Sequence, residues 1–254
     1  MGTTISENID LSRSEQYVLV LEVRAEQFSF FLHHPNHSKE RFCYRFPVDK
    51  RYSILSQFQE IFFDNNFLAR PFRKILIVNH APVFTFIPNL LFEEKSKEDY
   101  MRFLFATVSG KILHQTLLKP EITILHTLAE DLYDFLRRSF PTAAIVHYTA
   151  ALIARCRERI QLVDGNRMVI YRQPDGIDVL CFSRENLLLS NHYDCQSTED
   201  VVYYTLYTCK QLKFSQSNDF VYLVKGEEEL QEKLSKYIRN IVPVQWEIWD
   251  NENS

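Results

Sequence analysis

The segment HHPNH, from His33 to His37, is the first place where residue type and spacing could do chemistry. Its spacing could bring imidazoles together on one metal ion. No Cys, Asp or Glu within the segment completes a four-ligand set, and Pro35 favours a turn. We therefore interpret the segment as a solvated turn between two strands.

The remaining histidines and the cysteines are spaced singly. A histidine at a strand end can serve as an acid–base group, but buried or capping roles are commoner. The cysteines are odd in number and form no CxxC pair, which indicates reduced, packed thiols. No GxSxG elbow occurs. The singly spaced histidines are His80, His114, His126, His147 and His192, and the cysteines are Cys43, Cys156, Cys181, Cys195 and Cys209.

Glycine is scarce in this sequence, at 5 of 254 residues, whereas about 7% is usual. A loop that binds phosphates through main-chain amides normally concentrates glycine, because the backbone must turn sharply and approach the ligand closely. Neither GxGxxG nor GxxxxGK[ST] occurs. The sequence therefore predicts no recognisable phosphate-binding loop.

Composition indicates a globular protein of one large or two small domains. The chain carries 29 Lys+Arg and 33 Asp+Glu, a net charge of −4, and 46% of its residues are hydrophobic. This balance gives little electrostatic support for nucleic-acid or anionic-membrane binding. No apolar run reaches the length of a membrane span, and the first sixteen residues lack a signal-peptide pattern. We predict a cytoplasmic protein without membrane insertion or nucleic-acid binding.

The elements that position these residues recur twice in the same order. Each half begins with three strands, followed by an amphipathic helix and a buried strand. In the first half these are residues 17–24, 27–32, 41–48, 54–62 and 74–78. In the second half they are residues 167–173, 176–183, 186–191, 197–212 and 220–224. Such repetition suggests an internal duplication with two packed subdomains.

A second internal match aligns the strand and helix that begin at Ile122 with those that begin at Phe220. The first half therefore contains an insertion, predicted to hold a strand, a helix through Val108 and another strand. Trp246, Ile248 and Trp249 predict a last strand. The predicted divisions are a frayed N-terminus at 1–16, a first subdomain at 17–147 with an insertion at about 81–121, and a second subdomain at 148–254.

This order resembles the duplicated ribonuclease-H-like fold of the actin superfamily, above all its pilus-assembly and cell-division members. The sequence also contains five short motifs, which are FTFIP at 84–88, Leu91-Phe92, Phe140-Pro141 with His147, YYTL at 203–206 and KQL at 210–212. Through these motifs the region from Tyr17 to Trp249 is similar to an uncharacterised bacterial family with that fold. The resemblance implies an α/β protein of two ribonuclease-H-like (actin-like ATPase) subdomains, each a mixed sheet of three leading strands followed by alternating helix and strand.

Actin-like ATPases hold a nucleotide between their halves, and the resemblance implies which residues would contact it. The first-half hairpin has Glu22 where an Asp is expected and contains no glycine. In the second half Asp175 precedes a glycine, but it follows a proline, as in an ordinary β-turn. Lys225 and Gly226 retain part of the adenosine pattern, although the second glycine is replaced and three glutamates follow. Those acids suit a helix N-terminus.

We therefore predict a degenerate actin-like protein, a pseudo-ATPase without a cofactor, that binds an unidentified protein or a second copy of itself. The sequence favours a non-enzyme over an enzyme. The alternative is a weak nucleotide-binding switch that holds ATP with Mg in the inter-lobe cleft through Glu22, Asp175, Lys225 and Gly226. Tyr204 and Trp249 are candidate interface residues, with core packing as the other interpretation of Tyr204.

Overall fold

The computed structural model describes residues 9–119, 121–160, 165–173, 176–215 and 217–246, with the backbone alone at 38–40. It shows a mixed α/β chain that divides into two compact units. Within the described residues, the first unit contains 9–117 and Ile122–Ala151, and the second contains Leu118–Glu121 and 152–246.

The first unit contains eight of the described strands and three complete helices. They are β1 (Val18–Val23), β2 (Gln27–His34), β3 (His37–Pro47), α1 (Ile54–Asp64), β4 (Lys74–Asn79), β5 (Phe84–Pro88), α2 (Lys97–Leu104), β6 (Lys111–Leu117), β7 (Ile122–Leu128), α3 (Glu130–Ser139) and β8 (Ala144–His147). Helix α4 (Tyr148–Arg159) begins in the first unit and continues into the second.

The second unit contains the remaining described elements. They are β9 (Asn166–Gln173), β10 (Gly176–Ser183), β11 (Asn186–Asp194), α5 (Thr198–Gln211), β12 (Phe220–Val224), α6 (Glu228–Ser235) and β13 (Ile241–Val244). Helix α5 begins at a capping box, in which Ser197 and Asp200 each accept a backbone N–H of the other.

The two five-stranded sheets have the same topology. The first has the order β3-β2-β1-β4-β8 and the second β11-β10-β9-β12-β13. In each sheet the middle strand, β1 or β9, lies antiparallel to one neighbour, β2 or β10, and parallel to the other, β4 or β12. β1 is the middle strand of its sheet and nearly all its residues are buried, as its apolar sequence predicts.

A third sheet, with the antiparallel order β5-β7-β6, shows that one predicted equivalence was wrong. The strand at Ile122 was matched with the strand at Phe220, but β7 pairs with β5 and β6, whereas β12 lies in a five-stranded sheet. A short apolar run does not specify its partner strand, so the pattern could not distinguish these places. The inserted sheet thus extends to Leu128, beyond the predicted end at 121.

The helix of the insertion is also shorter than predicted. Helix α2 ends at Leu104 rather than continuing through Val108. Val108 is β-branched, which disfavours a helix. Gly110, which follows shortly, has a φ of 86°, and a side chain there would collide with the carbonyl of Leu128.

The N-terminal segment packs onto the first unit from residue 9, contrary to the predicted fraying up to residue 16. Leu11–Gln16 is a 3-10 helix in which Ser14 is buried. Ile9 joins the core cluster of the first unit, and the main-chain N–H of Asp10 donates to the hydroxyl of Tyr17 over 3.3 Å. An apolar anchor, Ile9, therefore overrides the polar composition of this segment.

Each unit has its own hydrophobic core. In the first, Phe58 of α1 packs edge-on against Phe28 of β2, with ring centroids 5.0 Å apart, and Leu136 of α3 is fully buried. In the second, Val179 and Val201 belong to one buried cluster. No helix in the described ranges combines the length and hydropathy needed to cross a bilayer.

Candidate functional site

Polar side chains converge at one edge of the first five-stranded sheet. β1, β4 and β8 are parallel neighbours, so their carboxyl ends meet at the same edge. Glu22 lies near the end of β1, Asn79 ends β4 and His147 ends β8. Crevices at the carboxyl ends of parallel strands are the usual ligand sites of α/β sheets, which makes this edge the candidate site of the first unit.

Glu22 is buried and faces two basic side chains. It is 5% exposed. Its Oε1 atom lies 3.3 Å from Nε2 of His80, and its Oε2 atom lies 3.9 Å from Nε of Arg24. A buried carboxylate is stabilised by such neighbours, because burial without them would disfavour its charge. Both carboxylate oxygens therefore face groups of the protein itself.

Tyr148, the first residue of α4, covers the same pair of basic side chains. Its ring stacks on His80 with centroids 4.1 Å apart, and the guanidinium carbon of Arg24 lies 5.7 Å from its centroid. The backbone also closes this corner. The N–H of His80 donates to the carbonyl of Val23 over 2.9 Å, and that of Arg24 donates to the carbonyl of Gln27 over 3.0 Å.

Behind this corner, Asn79 fixes the tautomer of a buried histidine. Its amide nitrogen donates to the carbonyl of Thr127 over 2.8 Å and lies 2.9 Å from Nδ1 of His126. Because this amide nitrogen is a donor, Nδ1 accepts and the neutral ring carries its proton on Nε2. Nε2 is buried without a hydrogen-bond partner in the described part of the chain. Burial, and secondarily the nearby His147, lowers the pKa of His126 to about 3.

His147 is a buried structural residue as well. The N–H of Thr149 donates to its Nδ1 over 3.3 Å, so Nε2 donates to the carbonyl of Ala81, 3.1 Å away. Its ring centroid lies 4.2 Å from that of Phe84 and 5.2 Å from that of His126. His126, within β7, and His147, at the end of β8, are both buried, which is one of the two roles that the sequence favours for the singly spaced histidines.

Within the HHPNH segment, Pro35 and Asn36 form the turn between β2 and β3, whereas His33 and His34 end β2 and His37 begins β3. The predicted solvated turn is therefore shorter than the segment. His34 is buried and its ring stacks on that of His37, with centroids 4.1 Å apart. It also meets Tyr17 edge-on. Across the described residues, no group of three or more His, Cys, Asp or Glu side chains is placed to hold a metal ion.

In the second unit, Lys225 and Gly226 have local packing explanations. Lys225 has a φ of 57°, and its ammonium lies 5.0 Å from the ring centroid of Tyr171. A Cβ added at Gly226 would lie 2.8 Å from Cβ of Leu223, so close packing requires glycine there. The following glutamates occupy the N-cap and first turn of α6. Glu22 belongs to the first unit, whereas Lys225 and Gly226 belong to the second; Asp175 lies outside the described residues.

The second unit contains a polar pair that the sequence pattern did not predict. Nδ1 of His192 lies 2.8 Å from Oδ1 of Asp178, and the amide nitrogen of Gln173 donates to Oδ2 over 2.9 Å. Asp178 and His192 are direct neighbours in the β10–β11 register. Only the register, which depends on the turn between those strands, could have revealed the pair.

The candidate interface residues have different surroundings. Tyr204 is half-buried and stacks on Tyr193 with centroids 4.4 Å apart, while Tyr203 and Tyr207 of the same helix are 62% and 44% exposed. Trp249 lies outside the described residues.

The predicted last strand was wrong for Trp246, which follows β13 and is buried, with its ring centroid 5.4 Å from that of Tyr171. The last described strand is β13 itself, at Ile241–Val244. Pro243 obscured it, since proline is uncommon in strand interiors.

Residues 6–241 match the family model described as protein of unknown function (DUF3822). The chain belongs to this family. A crystal structure from Bacteroides thetaiotaomicron, of a protein with actin-like ATPase fold and unknown function, is 28% identical to the DUF3822 chain, with 93% of each chain covered and a TM-score of 0.77. The PilM–PilN type IV pilus biogenesis complex is 12% identical, with 89% of this chain and 88% of that chain covered and a TM-score of 0.50.

The DUF3822 chain thus has the actin-like ATPase fold, and the predicted resemblance to an uncharacterised family with that fold is confirmed. The likeness to PilM concerns the fold alone. No curated protein matches the chain.

Proposed function

We propose that this DUF3822 protein is a non-catalytic actin-like protein that acts as a protein-binding or assembly component. The observation that carries the proposal is the burial of Glu22 between His80 and Arg24. A carboxylate that positions hydrated Mg²⁺ must offer its oxygens to the cation and its waters. Glu22 instead directs both oxygens to basic side chains, which favour its charge without a metal.

The hairpin after β1 supports the same conclusion. Actin-like ATPases bind phosphates through main-chain amides that glycine leaves accessible. Here the chain between β1 and β2 consists of Arg24, Ala25 and Glu26, without a glycine. The amide of Arg24 closes the hairpin by donating to Gln27. Its side chain lies over Tyr148. A phosphate at this corner would have to displace these contacts.

The competing function is a weak nucleotide-binding switch that uses ATP with Mg. It would require Glu22 to turn from His80 toward a cation, and Lys225 to leave the ring of Tyr171. Each of these moves exchanges a contact made within the protein for one made to ligand. The observed contacts therefore favour the non-catalytic function.

Exposed apolar side chains support the protein-binding half of the proposal. Isolated ones are normal on a soluble protein, but clusters of them mark contact surfaces, where aromatic residues are enriched. Tyr203 and Tyr207 lie together on α5, with ring centroids 6.2 Å apart. PilM, whose fold is similar, forms a type IV pilus biogenesis complex with PilN, so a protein of this fold can bind another protein.

Thermal unfolding with and without nucleotide tests the proposal. We expect about 1 mM MgATP to leave the Tm within error of its value in Mg²⁺ alone. A Kd of about 10 μM would instead stabilise the protein by about 2.7 kcal/mol at this concentration. That would raise the Tm by several degrees and would contradict the proposal.

A further inference from the structure

Four large apolar side chains project from the insertion of the first unit. Leu90 is 95% and Phe103 89% exposed, while Leu91 is 62% and Leu104 53% exposed. Leu90 and Leu91 lie in the 3-10 helix that follows β5, and Phe103 and Leu104 lie in the last turn of α2. We refer to these four residues as the insertion surface.

The insertion surface is continuous because Tyr100 joins its two parts. The hydroxyl of Tyr100 donates to the carbonyl of Leu91 over 2.6 Å. Phe103 and Leu104 follow Tyr100 by three and four positions, so helix geometry places the three side chains within an arc of about 100°. The 3-10 helix and the last turn of α2 therefore form one apolar ridge.

The core of the insertion does not use the four side chains of the insertion surface. Helix α2 buries Met101, which packs with Ile87 of β5 and Leu125 of β7. Leu90 and Phe103 are almost fully exposed, so they project from the surface rather than line a groove. Projecting side chains can interdigitate with those of a matching ridge.

Charge around the ridge permits a second copy of the chain to approach. Residues 93–102 carry four acidic and three basic side chains, and Arg102 pairs with Glu98 of its own helix at 3.5 Å. A nearly balanced rim does not repel its own copy. It also offers no excess of positive charge to attract a polyanion or an anionic membrane.

The exposed area is that of a small symmetric interface. The four side chains expose on the order of 500 Å² of mostly apolar surface, and two copies placed face to face would bury about 1,000 Å², plus their rims. Specific interfaces begin near about 1,200 Å² in total, so the area suits a weak dimer. A twofold axis lets one patch serve both copies.

We propose that the insertion surface is a twofold interface through which two copies of this chain associate. The inference rests on the proposed assembly function and names the partner as a second copy. The exposed leucines and Phe103 would supply most of the apolar area that the interface buries, and burial of apolar area favours association.

Sedimentation velocity of the full chain from about 2 to 200 μM tests the inference. We expect a reversible monomer–dimer equilibrium in this range, which Phe103→Ser and Leu90→Ser each weaken at least about tenfold. Tyr237→Ser, which removes a side chain that is 51% exposed in the second unit, should leave the equilibrium unchanged. Circular dichroism should confirm that all three variants fold, because each replaced side chain is exposed.

A protein that stays monomeric throughout this range would overturn the inference. A dimer that survives both insertion variants, or that Tyr237→Ser disrupts, would also overturn it. Adding MgATP to the same samples separates the two proposals. If the nucleotide binds, the non-catalytic function is contradicted whatever the oligomeric state. If the protein is monomeric and binds no nucleotide, only the dimer is contradicted.

Discussion

The carboxylate of Glu22 and the imidazole of His80 lie 3.3 Å apart, although 58 residues separate them in the chain. Parallel pairing of β1 with β4 sets Glu22 beside Val78, two residues before His80. The site is thus an outcome of strand register. It places an acid and a base side by side at the carboxyl edge of the first sheet.

Replacing Glu22 should destabilise the protein. We expect Glu22→Ala to lower the free energy of unfolding by about 1–3 kcal/mol, because the change leaves His80 and Arg24 without the buried carboxylate that they face. Urea denaturation monitored by circular dichroism measures this difference.

Glu26→Ala is the matched control, since it removes a carboxylate from the same hairpin. The side chain of Glu26 is 68% exposed and its nearest basic partner, Lys50, is 4.0 Å away. We expect a change within about 0.5 kcal/mol. Equal stability of the Glu22→Ala variant and the wild type would show that the buried pair is dispensable.

The buried His126 should make stability depend on pH. Its pKa is lowered to about 3 in the folded protein, against about 6.5 when unfolded. The unfolded chain therefore binds a proton that the folded chain does not. The stability that the neutral imidazole contributes is fully present above pH 6.5 and is lost as the pH falls toward 3. Between pH 7 and pH 5 the loss is about 2 kcal/mol.

His126→Gln isolates this effect, because the other titrating groups are common to both proteins. Between pH 7 and pH 5, we expect the free energy of unfolding to fall in both proteins. The fall should be smaller in the variant than in the wild type, by about 2 kcal/mol. Parallel pH profiles for the two proteins would refute the assignment of a buried neutral imidazole.

Thiol labelling should separate one cysteine from the other four. Cys43 is exposed, whereas Cys156, Cys181, Cys195 and Cys209 are buried. Burial raises the pKa of each of these four thiols, that of Cys209 to about 11. A disulfide reagent at about pH 8 should react quickly with one thiol in the native protein, and Cys43→Ser should abolish that phase. Rapid labelling of a second native thiol would contradict the packing described for the cores.

Much of the fold could be predicted from the sequence because its strands have clear apolar patterns. The central place of β1 follows from a run that is apolar on both faces. The partner of β7 could not be predicted in this way, because apolarity indicates burial but not the neighbour. Likewise, nothing local in the sequence indicated that Ile9 anchors the N-terminal segment.

The candidate site was predictable only in part. Glu22 was identified because it lies where the resemblance expects an acid. The absence of glycine from its hairpin indicated a degenerate phosphate loop. Its pairing with His80 depends on the β1–β4 register, and the exposure of Phe103 depends on where α2 ends. Both depend on tertiary structure, which single-sequence patterns do not specify.

Isothermal titration calorimetry with ATP and ADP in the presence of Mg²⁺ tests the central claim most directly. The account predicts no saturable heat for either nucleotide at protein concentrations of tens of μM. Binding with a Kd below about 10 μM, equivalent to about −7 kcal/mol, would contradict it. It would show that the contacts of Glu22 with His80 and Arg24 do not prevent this actin-like chain from holding a nucleotide.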